Sequence, residues 1–230
     1  MSNPSYRIFD ASEHAVLIYF SDTISSEQTQ KLAAFSHALK ASLGELIVDV
    51  TISYTSALVT YQSLSIDHFS IKQKIKSILT QLNDTAFSVN QIELPAYYHS
   101  EVGADLNAMA KAKNLTVSDI IKYHSEQIYS VFAIGFAPGF AFLGEVNPIL
   151  ATPRLATPRK KVAKGSIAIA DRQTAVYPAA SPGGWNLIGN CPVSLFDAEN
   201  TPPLPFNIGD SVKFIPIERS EFIRLGGHID

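Results

Sequence analysis

The segment from Ile134 to Phe196 concentrates the residue types from which an anion site is built. It contains Gly135-Phe136-Ala137-Pro138-Gly139-Phe140, then Thr152-Pro153-Arg154 echoed by Thr157-Pro158-Arg159, then Tyr177-Pro178 and Ser181-Pro182-Gly183-Gly184-Trp185. No Asp or Glu lies between Val146 and Ala170, while Arg154, Arg159, Lys160, Lys161 and Lys164 all do, on a chain of formal net charge -3. An arginine offers a planar fork that grips an oxyanion at two points, which a lysine cannot do. Glycine admits positive φ and close backbone approach, and proline stiffens the loops that carry the charges. The expected chemistry is retention of a small anion, with backbone N–H groups of the glycine turns opposing charge that develops on a carbonyl oxygen. Arg159 is the candidate catalytic cation. Gly135, Pro138, Gly139, Arg154, Lys160, Ser181, Gly183, Gly184 and Trp185 are the candidate substrate contacts.

Four residues, Trp185 among them, admit two readings each. His124 follows Val117, Ile120 and Ile121 at helical spacing, so it is either a packed histidine or a catalytic acid or base. Trp185 is either core or cavity wall. Gln173 and Tyr177 share one face of a short strand and either line a pocket or lie outside it. Cys191, with no neighbouring base in sequence, reads as a small buried apolar side chain. Other chemistries lack an anchor: there is no Gly-x-x-x-x-Gly-Lys-Ser/Thr loop, no Gly-x-Ser-x-Gly elbow, no biotin-type Met-Lys-Met, and none of the six histidines pairs at metal-ligand spacing. No metal and no nucleic acid are expected. The absence of a long apolar run predicts no membrane span, and a single cysteine with no secretory-type start predicts a cytoplasmic protein.

The elements that must position these residues change character along the 230-residue chain. Eleven of 13 prolines and ten of 12 glycines fall from Gly135 onward, against one of each in the first ninety residues. This predicts two domains, 1–95 and 96–230. In the first, a strand over 14–20, a helix from Ile24 to Leu43, strands Leu46–Ile52 and Ala57–Tyr61, a helix bearing Ile71, Ile75, Ile78 and Leu82, and a strand from Phe87 to Leu94 give a split βαβ order and a two-layer α/β sandwich. Ser25 with Gln28 reads as a capping box and Gly44 as the helix stop. Two short helices follow, Val102–Lys113 and one opened by Thr116 with Asp119. Beyond them, strands over Ile128–Ile134, Ser166–Ala170, Thr174–Tyr177, Trp185–Ile188, Val193–Phe196 and Ser211–Ile215 alternate with turns, predicting a barrel or closed sandwich. The fold class is α+β.

Taken together, Ile134 to Gly144, the doubled Pro-Arg, Val162-Ala163-Lys164-Gly165-Ser166, Gln173-Thr174, Tyr177-Pro178, Ser181 to Trp185 and Gly209-Asp210 resemble the allophanate hydrolase subunit 1 family, also called the KipI family. Tyr97-Tyr98 through Gly103-Ala104-Asp105-Leu106 is similar to a further family segment, and His124 falls where the family carries histidine. The chain departs from the pattern at His99-Ser100, Ala104 and Asn190-Cys191. The resemblance implies an N-terminal α/β domain followed by a cyclophilin-like β-barrel. It further implies a barrel subunit of an ATP-dependent 5-oxoprolinase that opens 5-oxoproline to glutamate. The implied partners are the C subunit, which is a homologous second barrel, together with the A subunit, which is the lactam-utilisation protein. ATP is bound by the complex, and no biotin sits on this chain. Other relatives inhibit a histidine kinase, or form the carboxyltransferase part of urea carboxylase.

Overall fold

In a computed structural model, which describes residues 6–82 and 89–229, the chain divides into two compact units, Met1–Val89 and Asn90–Asp230. The first unit runs β1 (Arg7–Ser12), β2 (Ala15–Tyr19), α1 (Ser26–Leu43), β3 (Ile47–Ser53), β4 (Ser56–Tyr61) and α2 (His68–Gln81). Its four strands lie in the order β1-β2-β4-β3, every neighbouring pair antiparallel. Period-3.6 spacing places Leu32, Phe35 and Leu39 of α1 and Ile71, Ile75 and Ile78 of α2 in the core, with Val16, Ile18, Val50, Ile52, Ala57 and Val59 from the strands. The predicted ends of α1 are present: Ser25 Oγ accepts from Gln28 N–H at 3.2 Å, and Gly44 stops the helix at φ +49°. The sequence pattern missed β1. Five of its six residues are exposed, so it carries little hydrophobic alternation.

The second unit begins with β5 (Gln91–Ala96), α3 (Leu106–Ala112), α4 (Val117–Ser125), β6 (Ile128–Ile134), β7 (Ala141–Gly144), β8 (Arg159–Val162), β9 (Ser166–Ala170) and β10 (Gln173–Val176). It ends with β11 (Ser181–Gly183), β12 (Asn186–Asn190), β13 (Ser211–Pro216) and α5 (Arg219–Arg224). Strand β5, expected to close the split βαβ sheet of the first domain, pairs instead in parallel with β13 over its whole length, because Ser211–Pro216 offers it a full ladder. The earlier end of that expected strand, at Phe87, lies outside the described residues. Strand β13 also pairs with β6, and an antiparallel run β6-β7-β10-β9-β12 follows. Strands β8 and β11 form a separate two-stranded ribbon. Two expectations are corrected. Val193–Phe196 is irregular rather than a strand, next to Pro192, which donates no ladder bond. Helix α3 starts at Leu106 rather than Val102, because 99–105 form a turn in which Val102 and Gly103 N–H donate to His99 O.

Helix α4 carries the predicted capping box in both directions. Thr116 Oγ1 accepts from Asp119 N–H at 3.1 Å and Asp119 Oδ2 accepts from Thr116 N–H at 2.9 Å; the Thr116 hydroxyl, donating to the same Oδ2 at 2.6 Å, and then that backbone bond push the Asp119 pKa below its ordinary value. The main core gathers Tyr129, Val131, Leu143, Leu150, Ile167, Ile169, Phe206 and Phe214. A second cluster, Phe140, Val162, Ala168, Ala175, Tyr177, Trp185 and Leu187, sits under the glycine-rich loops.

Candidate functional site

That aromatic cluster opens into a cavity of about 140 Å³. Its walls are rings: Phe136, Phe140, Phe142, Tyr177 and Trp185, with Arg154 and the Pro182–Gly184 turn completing the lining. Phe140 stands edge-on to Tyr177 at 5.4 Å between centroids and to Trp185 at 5.7 Å, the T-shaped geometry that ring quadrupoles favour. The β6–β7 loop places two of these rings. Gly135 N–H donates to Phe140 O and Phe140 N–H to Ala137 O, both at 3.0 Å, and the backbone turns through positive φ at Phe136 (+72°) and Gly139 (+84°). A side chain at Gly139 would also stand 2.9 Å from Leu195 O. Gly135, Pro138 and Gly139 therefore shape the loop that presents Phe136 and Phe140, and do not themselves line the cavity.

Arg154 is the cation of this site. Its guanidinium lies 5.7 Å from the Trp185 ring centroid, and the nearest carboxylate oxygen, on exposed Asp171, is 4.0 Å away. Tyr177 is buried; burial raises its phenol pKa, while the Trp185 backbone N–H and the charges of Arg154 and Arg159 pull it down. The hydroxyl therefore stays protonated at neutral pH, available as a donor in an otherwise apolar box.

The other expected site residues fall elsewhere. Arg159 does not line the cavity: it is half-buried behind the wall, with Nη2 donating to Asp105 Oδ1 at 2.6 Å and Nη1 to Trp185 O at 3.3 Å. Lys160 is exposed on β8, Gln173 is in the β10 ladder against Ala170 and Gly144, and Ser181 pairs with Val162 at the ribbon end. His124 is fully buried. Thr174 Oγ1 donates to Ala168 O at 3.0 Å, so it accepts from His124 Nε2–H at 2.9 Å, which leaves Nδ1 to accept from Tyr98 O–H at 2.7 Å. Burial lowers the His124 pKa to about 3. With both nitrogens occupied by protein and no surface, His124 joins α4 to β10 and is not placed to exchange a proton with a ligand in the cavity. Cys191 is buried as expected, its thiol pushed up to about 12 by burial. Asn190 Nδ2 donates to Lys164 O at 3.0 Å, so this departure from the family pattern supports the turn at Gly165.

Sequence reasoning missed Phe140 and Phe142 as lining residues, while Phe136 and Pro182 fall inside the Gly135–Gly139 loop and the Ser181–Trp185 turn that it singled out. The alternation of Phe140, just before β7, with Phe142 on it was the available signal, obscured by the four-residue length of that strand. Asp105 and Asp171, which oppose the two arginines, gave none. Among the described residues no cluster of His, Cys, Asp and Glu could hold a metal ion, and no helix is long and apolar enough to cross a membrane.

Comparison with known proteins places this geometry among relatives. A family model described as carboxyltransferase domain, subdomain C and D, matches residues 6–206. A Haemophilus influenzae protein named as the B subunit of 5-oxoprolinase is 38% identical over 208 residues, covering 90% of this chain and 96% of its own length. A Bacillus subtilis protein of the same name is 34% identical over 233 residues, covering 94% and 95%. Among solved structures, TTHA0988 matches with a TM-score of 0.79 at 29% identity over 93% of this chain, which spans 40% of that longer chain.

Proposed function

The chain belongs to the carboxyltransferase domain, subdomain C and D, family, and on that premise we propose that it is the B subunit of a 5-oxoprolinase, opening 5-oxoproline to glutamate as part of an assembly. The observation that carries this reading is identity of 38% and 34% to proteins of that name across nearly the full length of both partners. The cavity is compatible with it. In this reading the substrate carboxylate meets Arg154, its flat ring lies against Trp185, and Tyr177 O–H with the turn of Gly183 and Gly184 faces the lactam carbonyl. Donors held in place in an apolar box oppose charge growing on that oxygen more strongly than water does.

The proposal includes the A and C subunits as partners, ATP held by the assembled complex, negligible turnover by this chain alone, and a cytoplasmic location. ATP held by the complex would supply a phosphoryl group to the lactam oxygen with release of ADP, and water would then open the ring with release of phosphate. The proposal also includes a cyclophilin-like barrel for the second unit. Supporting that layout, the run β5-β13-β6-β7-β10-β9-β12 has ends rejoined by the single bridge between Tyr97 and Asn190.

The test is glutamate release from 5-oxoproline and ATP by purified chain mixed with the A and C subunits. Activity should require all three. Arg154→Ala should abolish most of it while moving the unfolding midpoint little, since a side chain that is 60% exposed with a 4.0 Å ion pair contributes within about 0.5 kcal/mol to stability. Full activity of a mixture lacking this chain would overturn the reading.

A further inference from the structure

The turn that walls the cavity sits at the end of a two-stranded ribbon, and a short ribbon of that kind does not hold a turn in one place by itself. Its anchors come from elsewhere in the unit. Leu155 N–H donates to Gly184 O at 2.7 Å, and Asn186 Nδ2 donates to Pro153 O at 2.9 Å. A further anchor begins at Asp105, which occupies the N-cap position of α3 yet makes no side-chain bond to that helix.

Its carboxylate is turned toward the sheet instead. Oδ2 accepts from Leu187 N–H at 2.7 Å while Asp105 N–H donates to Leu187 O at 2.9 Å, a two-way clasp on β12. Oδ1 takes the Arg159 fork at 2.6 Å, and the other arm of that fork reaches Trp185 O at 3.3 Å. The clasp depends on Gly103, since a Cβ there would stand 2.6 Å from Ile188 O and 2.7 Å from Gly189 N. Asp105 is largely covered, its side chain 16% exposed, so this is a partly desolvated ion pair and not a surface one.

We infer that Asp105 is a positioning residue for the cavity: acting through Arg159 it fixes the carbonyl of Trp185, and hence the ring on which Arg154 rests, while cancelling the Arg159 charge so that Arg154 is the guanidinium left for an anion. The kinetic consequence rests on the 5-oxoprolinase reading; the positioning itself does not. A lysine at 159 could meet Asp105 but lacks the second arm for Trp185 O.

Trp185 is the chain's one tryptophan, so its fluorescence reports the wall directly. In the isolated chain, Asp105→Asn keeps an acceptor for Leu187 N–H but removes the charge that holds Arg159, and Arg159→Lys keeps the charge but removes the fork. Acrylamide quenching of Trp185, 5% exposed in the native protein, should rise by about twofold or more in both through local opening of the turn. In the reconstituted complex both should raise KM for 5-oxoproline by about tenfold with kcat changed less than about threefold, the pattern of lost binding and not lost chemistry. Quenching equal to wild type in a folded variant overturns the inference, as does raised quenching with unchanged KM. If Asp105→Asn fails to fold, Arg159→Lys decides. A wild-type complex without turnover defeats the functional reading, and the quenching result then judges the positioning alone.

Discussion

Acidification from pH 7 to pH 5 should cost the second unit about 2 kcal/mol through His124 alone. In the folded chain this imidazole is neutral, donating through Nε2–H and accepting at Nδ1, and its pKa is about 3 against 6.5 for an ordinary histidine. A group whose folded pKa is depressed stabilises fully above its unfolded value and loses that contribution as pH falls, because the unfolded chain takes up a proton that the folded chain refuses. The loss therefore begins near pH 6.5, grows by about 1.4 kcal/mol per unit, and reaches about 2 kcal/mol at pH 5. It continues down to about pH 3. Carboxylates whose partners lower their pKa, such as Asp119 held by Thr116 and Glu101 held by Tyr97, begin to act below ordinary values of 3.8 and 4.5 and leave this window clear. Urea unfolding followed by Trp185 fluorescence reads the unit that contains His124. His124→Gln should be less stable than wild type at pH 7 but should lose about 2 kcal/mol less on going to pH 5. Parallel pH profiles for the two proteins would refute both the neutral tautomer and the buried network.

Two substitutions elsewhere in this unit should lower its stability. Gly103→Ala should destabilise it by about 1–3 kcal/mol, since the new methyl must displace the β12 backbone at Ile188, and the same urea titration measures this. Thr116→Ala removes the acceptor of Asp119 N–H and should cost about 1 kcal/mol, whereas Thr116→Ser should recover most of it.

The legible part of the site was its glycines and prolines. Their effect is local, because a φ restriction or its absence acts on the residue that carries it, so the bends at Gly139 and Gly165 and the turn at Gly183-Gly184 could be expected from letters alone. The charges were not legible in the same way. Five cations without an acid in sequence suggested an open anion surface, yet Arg159 meets Asp105 from 54 residues away and Arg154 has Asp171 beside it. His124 was correctly placed on an apolar helix face. That its nitrogens meet Tyr98 and Thr174, which removes it from the surface, depends on contacts across 26 and 50 residues.

By itself the sequence determined helices α1, α2 and α4, the caps of α1 and α4, a change of architecture along the chain and the family. All of these follow from periodicity, composition and short-range backbone preferences. Tertiary structure alone decided that β5 pairs with β13, that three phenylalanines, Tyr177 and Trp185 enclose a cavity, and which of two similar Pro-Arg corners keeps its charge available. Ion pairing and ring packing are set by distance in space, and a chain of letters does not contain that distance.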